Sequence, residues 1–192
     1  CRYRAKLAQK SVEGRVVNGA GDDCLGFVGA AGKQGPGRMT ITNPGISRKV
    51  ITVGCSDDHK EVDVMGSRMV DYSGRGPTMA CICKPDIVAP GSGIVSCSNE
   101  PGKYFSKSGT SMSTPLVSGA IALLLETYPF MTNRDVKLRL RERAVDLRRP
   151  KNHQGGVRLD VTGLVDYPTT RTLTLRRAEP RGVAGGGGAA WG

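Results

Sequence analysis

Short apolar runs separated by glycine- and proline-containing segments form the main pattern in the first half of the chain. These runs lie at residues 24–31, 50–54, 85–89 and 94–97, and apolar side chains follow one another in them with few polar interruptions. Continuous rather than alternating apolar strands are typical of a sheet that is covered on both faces. The pattern therefore predicts an α/β fold built on parallel strands.

Two helices are predicted in the second half of the chain. Residues 111–125 are apolar almost all round, as expected of a helix that crosses the core. A second helix should begin at Thr132, because Thr132 and Asp135 have the spacing of a capping box. The residues of this second helix that are expected to face solvent are basic: Lys137, Arg139, Arg141 and Arg143.

Composition divides the chain into three parts. Residues 1–23 are mixed and weakly patterned, residues 24–168 carry the predicted strands and helices, and residues 169–192 include four consecutive glycines. The last part is expected to be a disordered, low-complexity tail. A length of 192 residues with 38% hydrophobic residues is ordinary for one globular domain. Since no apolar run reaches membrane-spanning length, no membrane partner is expected.

The chain is strongly basic, with 28 Lys and Arg residues against 17 Asp and Glu residues and a net charge of +11. Such a balance raises the hypothesis of a nucleic-acid partner. The clusters of basic residues, at 139–143, 148–151 and 176–181, lie on or after the second predicted helix, however, and few aromatic residues accompany them for base stacking. A solvated basic face explains the charge, and no nucleic-acid partner is predicted.

The six cysteines do not form a recognisable framework of disulfides or metal ligands. Cys81 and Cys83 are separated by one residue, which is not the Cys-x-x-Cys spacing of a zinc site, and no second pair lies at a matching distance. Reduced, partly buried thiols are expected. Neither a metal nor a cofactor is predicted. The six residues are Cys1, Cys24, Cys55, Cys81, Cys83 and Cys97.

The segment that carries most chemical information is Gly-Thr-Ser-Met-Ser-Thr-Pro at residues 109–115, which runs directly into the apolar helix. A helix N-terminus offers free backbone N–H groups and a positive dipole where an oxyanion would develop. This arrangement is typical of a peptide-bond hydrolase with Ser111 as its nucleophile. The alternative for Ser111 is a plain N-cap without chemistry, and Ser113 and Thr114 are expected to be cap residues.

The same segment resembles the nucleophile motif of the subtilases, the subtilisin-like serine peptidases. Four more segments resemble the family in the same order along the chain: Ala-Ala-Gly-Lys-Gln-Gly at 30–35, Val-Ile-Thr-Val-Gly at 50–54, Ser-Gly-Arg-Gly-Pro at 73–77 and Lys-Pro-Asp-Ile-Val-Ala-Pro-Gly at 84–91. The resemblance covers roughly residues 26–166. It implies a mainly parallel sheet between helices, and cleavage of polypeptides by an Asp, a His and a Ser in that chain order.

Several site residues follow from the resemblance. Ser111 corresponds to the nucleophile, and its backbone N–H to one donor of the oxyanion hole. Lys33 stands where the family has an asparagine that donates the second hydrogen bond. A lysine has donors, but its long side chain is less well preorganised than a short amide. Ala30, Ala31 and Gly32 correspond to one wall of the substrate pocket.

The Asp and His motifs of the family have no match in this chain. His59 and His153 do not lie in a His-Gly-Thr-His context, and Asp22 and Asp23 do not match the aspartate motif. We therefore expect a C-terminal portion of a subtilisin-like domain that is inactive alone, associates with the missing N-terminal half, and exposes the strand at 24–31 as an unpaired edge. The alternative is a non-catalytic relative that serves as a peptide-binding or interaction module.

Overall fold

The computed structural model describes residues 6–7, 13–17, 25–58, 68–148, 150–155 and 158–165. The expected disordered tail at 169–192 lies outside these residues, as do Cys1, Cys24, Asp22, Asp23 and His59. The strands are β1 (Lys6–Leu7), β2 (Glu13–Val17), β3 (Leu25–Ala30), β4 (Ile51–Asp57), β5 (Arg68–Met69), β6 (Ile87–Pro90), β7 (Ile94–Cys97) and β8 (Tyr104–Lys107). The helices are α1 (Thr110–Thr127), α2 (Asn133–Arg143), α3 (Lys151–Gln154) and α4 (Val161–Val165).

Three parallel strands form the centre of the main sheet. β3 pairs with β4 with Val28 opposite Ile51, and β4 pairs with β6 with Val53 opposite Ile87. Six consecutive residues of β4, from Ile51 on, are buried. Alternate residues of a strand face opposite sides of a sheet, so both faces of this strand are covered. The predicted α/β fold with a parallel sheet is confirmed.

Antiparallel strands flank this parallel centre. β2 pairs with β3 over five residues, from Glu13 opposite Gly29 to Val17 opposite Leu25, and β1 pairs in turn with β2. The expectation that the strand at 24–31 would be an unpaired edge is therefore wrong. Only seven residues separate β2 from β3 along the chain, and an antiparallel neighbour can be reached by such a short connection without a crossover.

The long helix α1 supplies much of the core, as its apolar sequence predicts. It packs against β2, β3, β4, β6 and α4. Its other side carries Leu116 and Leu123, which are 41% and 48% exposed and lie seven residues apart on one helix face. The buried apolar cluster consists of Val28, Ile51, Val53, Ile87, Ala89, Val117, Ala120, Ile121, Leu124, Leu125, Val136, Leu140 and Leu164.

Helix α2 begins as the capping box predicts. The Thr132 side chain accepts a hydrogen bond from the Asp135 backbone N–H at 3.2 Å, and Asp135 Oδ2 accepts one from the Thr132 N–H at 2.9 Å. These reciprocal bonds satisfy two N–H groups that would otherwise lack partners. Among the described residues, no helix is long and apolar enough to cross a membrane.

Two basic residues of α2 do not face solvent as expected. Arg139 is buried, with its guanidinium 5.7 Å from the centre of the Tyr128 ring. Lys137 Nζ donates to the carbonyl oxygens of Arg48 and Val50 at 2.6 and 2.8 Å. The long aliphatic portions of such side chains can lie along apolar surface while the charged ends reach polar groups. The expectation is corrected for these two positions.

Candidate active site

The start of α1 lies at the carboxyl ends of the parallel strands. Gly91, directly after β6, donates a backbone hydrogen bond to Ser56 O near the end of β4 at 3.0 Å. Gly109 N–H in turn donates to Gly91 O at 2.8 Å. This series of bonds fixes the helix start at the edge of the sheet where ligands of open α/β folds bind. Ser111 is therefore positioned by the ends of β4 and β6.

Ser111 is half-buried in the first turn of α1. Its Oγ forms no hydrogen bond within the described part of the chain. The N–H groups of Met112 and Ser113 point to Gly109 O at 2.9 and 3.4 Å, whereas the Ser111 N–H has no intrahelical acceptor at this position. Gly109 occupies the N-cap, so Ser111 is not the cap residue. Within the described residues, neither its hydroxyl nor its N–H has a hydrogen-bond partner.

A proline lies one turn after Ser111. Pro115 is inside α1 and has no N–H, so it cannot donate to the Ser111 carbonyl, the acceptor four residues before it. The backbone of Ser111 therefore lacks the two hydrogen bonds that a residue in a regular helix interior makes. Hydrogen bonds from the Met112 and Ser113 N–H groups to Gly109 O close the first turn of α1 around this residue.

Ser113 and Thr114 have a different role from the predicted one. Both side chains are buried inside α1. Ser113 Oγ donates to Ala89 O in β6 at 2.9 Å, and Thr114 Oγ1 donates to Thr110 O at 2.8 Å. They are helix-interior residues whose hydroxyls find backbone acceptors, and the expectation of cap residues is wrong.

The structure brings Lys33 to the start of the same helix. Lys33 Nζ donates to Ser108 O at 2.9 Å and lies 5.7 Å from the centre of the Tyr72 ring. A Cβ added to Gly109 would lie 2.5 Å from Lys33 Cε, which shows how closely this side chain passes the helix N-cap. In this structure the ammonium group is directed at the Ser108 carbonyl.

The three residues of the expected pocket wall also lie beside α1. Gly32 O accepts hydrogen bonds from Thr110 Oγ1 at 3.4 Å and from Gly74 N at 3.0 Å. Ala30 and Ala31 are buried, at 7% and 0% exposure. Because both alanines are buried, their methyl groups do not form an exposed surface beside α1.

A buried thiol, Cys55, and a half-buried phenol, Tyr72, lie together near the helix start, and the sequence pattern does not assign them to the site. Cys55 Sγ is 3.4 Å from Tyr72 Oη, and Cys55 is fully buried. Burial raises the pKa of the Cys55 thiol, and burial together with the bond to Cys55 raises the pKa of Tyr72 to about 12. Both groups therefore stay protonated at neutral pH. Nothing in the local sequence signals their proximity, because it arises from the fold.

The four described cysteines are free thiols, and only Cys55 among them is buried. The expectation of reduced thiols is confirmed for these residues, whereas the expected partial burial is wrong for the exposed residues Cys81, Cys83 and Cys97. Within the described residues no three or more His, Cys, Asp or Glu side chains are arranged to hold a metal ion.

Asp86 anchors the strands behind the site. Its carboxylate accepts from Lys84 Nζ at 2.6 Å, from the Thr52 N–H at 2.9 Å and from Arg141 at 3.0 Å. Lys84 is 1% exposed, and burial lowers its pKa despite the neighbouring carboxylate. A buried ion pair with further hydrogen bonds costs much to disrupt, because the remaining charge would be left without a partner. The Lys-Pro-Asp segment therefore has a structural role.

A parallel sheet whose strand ends position a serine at a helix N-terminus is an arrangement found in α/β serine hydrolases. Comparison with known proteins defines the family: the model of the subtilase family, peptidase S8, matches residues 3–159. The chain belongs to the subtilase family.

Several relatives, from different organisms, are named as proteases. The serine protease AprX of Bacillus subtilis (strain 168) is 41% identical over 121 residues, which cover 56% of this chain and 27% of AprX. Pyrolysin of Pyrococcus furiosus is 38% identical over 122 residues, covering 52% of this chain and 9% of pyrolysin. The solved structure of sphericase is 33% identical with a TM-score of 0.53, covering 61% of this chain and 39% of sphericase. The subtilisin-like α/β fold is confirmed, and the chain spans about a quarter of AprX.

Proposed function

We propose that this protein is a serine endopeptidase that cleaves polypeptides, with Ser111 as the nucleophile. The observation that carries the proposal is the position of Ser111 at the start of α1, where its Oγ has no hydrogen bond within the described residues. Family membership and relatives such as the serine protease AprX support the same reaction. Ser111 Oγ attacks the scissile carbonyl, and the Ser111 N–H donates to the oxyanion that forms.

Lys33 is proposed as the second oxyanion donor. Its ammonium group lies at the helix start, but it is bonded to Ser108 O. To donate to an oxyanion, the ammonium must leave this carbonyl and the adjacent Tyr72 ring. Such a rearrangement has a cost that a preorganised donor avoids, so we expect Lys33 to be a weak contributor to catalysis.

The general base and its orienting carboxylate must come from a segment that carries the Asp and His motifs. Without the histidine, kcat is expected to fall on the order of 10⁶-fold, so residues 1–192 alone should be practically inactive. We propose that this segment packs on α1, whose exposed Leu116 and Leu123 form an apolar stripe on the side away from the sheet. The chain spans only 27% of AprX, which is consistent with a larger peptidase domain.

A second candidate function is peptide binding without catalysis. The contact between Lys33 and Ser108 favours it, because an ammonium group held on a backbone carbonyl is not available to an oxyanion. In that case Ser111 would be a remnant of the family motif, and the start of α1 would contact bound peptides without reacting with them.

Labelling with a fluorophosphonate probe tests the proposal. In a version of the protein that also carries the Asp and His motifs, the probe should modify Ser111, and Ser111→Ala should abolish the label. Ser106→Ala is the control, because Ser106 is an exposed serine of β8 and its removal should leave the label in place. Absence of label in the extended version, or label that persists in Ser111→Ala, would overturn the proposal. Peptide binding without label would favour the second candidate.

A further inference from the structure

Three sulfur-containing side chains project from one short loop on the surface, remote in sequence from Ser111. Met79 is 87% exposed, and Cys81 and Cys83 are exposed free thiols. They alternate along the loop with Ala80 and Ile82. We propose that this loop, residues 76–84, binds a soft monovalent metal ion, Cu(I), through the two cysteine thiolates and the methionine thioether.

The backbone of the loop has a defined shape. At its base, Gly76 N–H donates to Lys84 O at 3.1 Å. Further out, the Thr78 N–H donates to Ile82 O and the Cys81 N–H donates to Thr78 O, both at 2.9 Å, and the Ile82 N–H donates to Thr78 Oγ1 at 3.1 Å. Thr78 is buried, so the hydrogen bonds are formed on the inner side of the loop. The hydrogen bonds that shape the loop use backbone groups and the Thr78 hydroxyl, so they do not involve the sulfur atoms.

The loop also has a firm attachment to the protein. Lys84, its last residue, is buried and bonded to Asp86 at 2.6 Å, next to the central strands. The loop can therefore hold a ligand without moving the strand ends at which Ser111 lies. A preformed loop reduces the ordering that metal binding would otherwise require.

The donor set favours a soft ion. Thiolate and thioether sulfur select Cu(I), whereas carboxylate and carbonyl oxygens suit Mg²⁺ and Ca²⁺. A structural zinc site needs four nitrogen or sulfur ligands, and the described residues offer no group of three His, Cys, Asp or Glu side chains. Because the chain has a net charge of +11, long-range electrostatics do not favour cation binding. The affinity for Cu(I) must therefore come from the bonds between sulfur and copper.

The binding step is a ligand exchange without electron transfer. Cu(I) supplied by a weak donor forms bonds to the sulfur atoms of Cys81 and Cys83, and the two thiol protons are released to solvent. Met79 adds its thioether lone pair and releases no proton. Copper remains in the +1 state throughout, so the step needs no oxidant or reductant.

Anaerobic titration with Cu(I), supplied as its acetonitrile complex and competed against a Cu(I) chelator, tests the site. The chain should retain one chelator-resistant Cu(I) that Cys81→Ser and Cys83→Ser each remove. Cys97→Ser is the matched control, because Cys97 is also an exposed free thiol, and it should retain the ion. Met79→Leu should weaken binding without loss of the site, whereas Met39→Leu, at another exposed methionine, should leave binding unchanged.

Two results would overturn the assignment. One is equal Cu(I) retention by the wild type and by the Cys81→Ser/Cys83→Ser double variant. The other is retention of Zn²⁺ as strong as that of Cu(I), because a soft three-sulfur site should discriminate between them. Thermal unfolding of each variant checks that the fold is intact, and X-ray absorption at the copper edge of the wild-type complex should show sulfur coordination. A nitrogen- or oxygen-dominated shell would also refute the site.

Discussion

Ser113 and Ala89 connect the central helix to the sheet. Ser113 Oγ donates to the Ala89 carbonyl at 2.9 Å, and both residues are fully buried. The bond lies two residues after Ser111 and one residue before the end of β6. It therefore fixes where the start of α1 lies relative to the end of β6, and with it the position of the Ser111 hydroxyl.

Ser113→Ala should destabilise the fold. The substitution leaves the buried Ala89 carbonyl without this donor, at a cost of about 1–3 kcal/mol in the free energy of unfolding. Urea-induced unfolding measures the difference. Ser111→Ala is the control, because the Ser111 Oγ makes no hydrogen bond within the described residues, and it should change stability by less than about 0.5 kcal/mol. Equal effects of the two substitutions would contradict the role of the Ser113 bond.

Gly91→Ala should be strongly destabilising, whereas Gly119→Ala should not. A Cβ at Gly91 would overlap Ser113 Oγ and lie 2.5 Å from Cys55 Sγ and 2.8 Å from Gly109 O. Such overpacking costs roughly 1–3 kcal/mol or more. A Cβ at Gly119, in the middle of α1, meets nothing within 4 Å, so alanine should stabilise the helix by up to about 1 kcal/mol. Thermal unfolding should therefore shift in opposite directions for the two variants.

Lys137 should make stability increase with pH. Burial lowers its pKa from 10.5 to about 8, which exceeds the opposing effect of Asp86. Below pH 8 the folded and unfolded states both carry the proton, and the burial penalty is fully present. Between pH 8 and 10.5 the folded state has lost the proton that the unfolded state still binds, so the free energy of unfolding rises.

Lys137→Met should remove this contribution. Urea unfolding between pH 7 and 9 should show a smaller increase for the variant than for the wild type, because the other groups with shifted pKa values are present in both proteins. The range stops at pH 9 because of Cys55. The pKa of its thiol is raised in the folded state, so above pH 9.0, the ordinary pKa of a cysteine, the free energy of unfolding falls with pH. Parallel curves for the two proteins would show that Lys137 keeps its proton on folding.

Lys33→Asn should increase kcat in a version of the protein that carries the Asp and His motifs. The short side-chain amide of an asparagine at this position cannot extend to Ser108 O as the Lys33 side chain does. Its N–H groups would therefore lie nearer to the oxyanion than the lysine ammonium. The gain is expected to approach the 10²- to 10³-fold that the corresponding donor is worth in subtilisin, with KM little changed. Lys107→Asn, at an exposed lysine of β8, is the control and should leave kcat unaltered.

Leu123→Lys should reduce self-association of the chain. Leu116 and Leu123 form an exposed apolar stripe on α1, and such surface promotes association when nothing covers it. Sedimentation velocity should show less oligomer for Leu123→Lys than for the wild type. Leu138→Lys tests whether any added charge has this effect, because Leu138 is 44% exposed but lies on α2. A wild-type chain that is already monomeric would contradict the role of the stripe.

The parts of the fold that depend on local patterns could be predicted from the sequence. The continuous apolar run at 50–54 predicts a strand covered on both faces, and the Thr132–Asp135 spacing predicts the start of α2, because each depends on neighbouring residues. The motif at 109–115 places Ser111 at a helix start for the same reason.

Contacts between distant segments could not be predicted. Lys33 and Ser108 are 75 residues apart, and the direction of the lysine side chain depends on which carbonyl the fold brings near it. Arg139 is buried near the ring of Tyr128, the C-cap residue of α1, and the pattern of helix α2 alone does not reveal this contact between two helices. The sequence does not predict the pairing of β2 with β3, because residues 1–23 carry little hydrophobic periodicity.

The antiparallel partner of β3 has a consequence for the order of folding. Seven residues separate β2 from β3 in the sequence, whereas 20 residues separate β3 from β4, and β6 lies still farther along the chain. Contacts between near neighbours in sequence form faster, because closing a short loop loses less chain entropy. The β2–β3 hairpin can thus serve as a nucleus on which the parallel strands assemble, and the helix that carries Ser111, which needs all of them, would dock last.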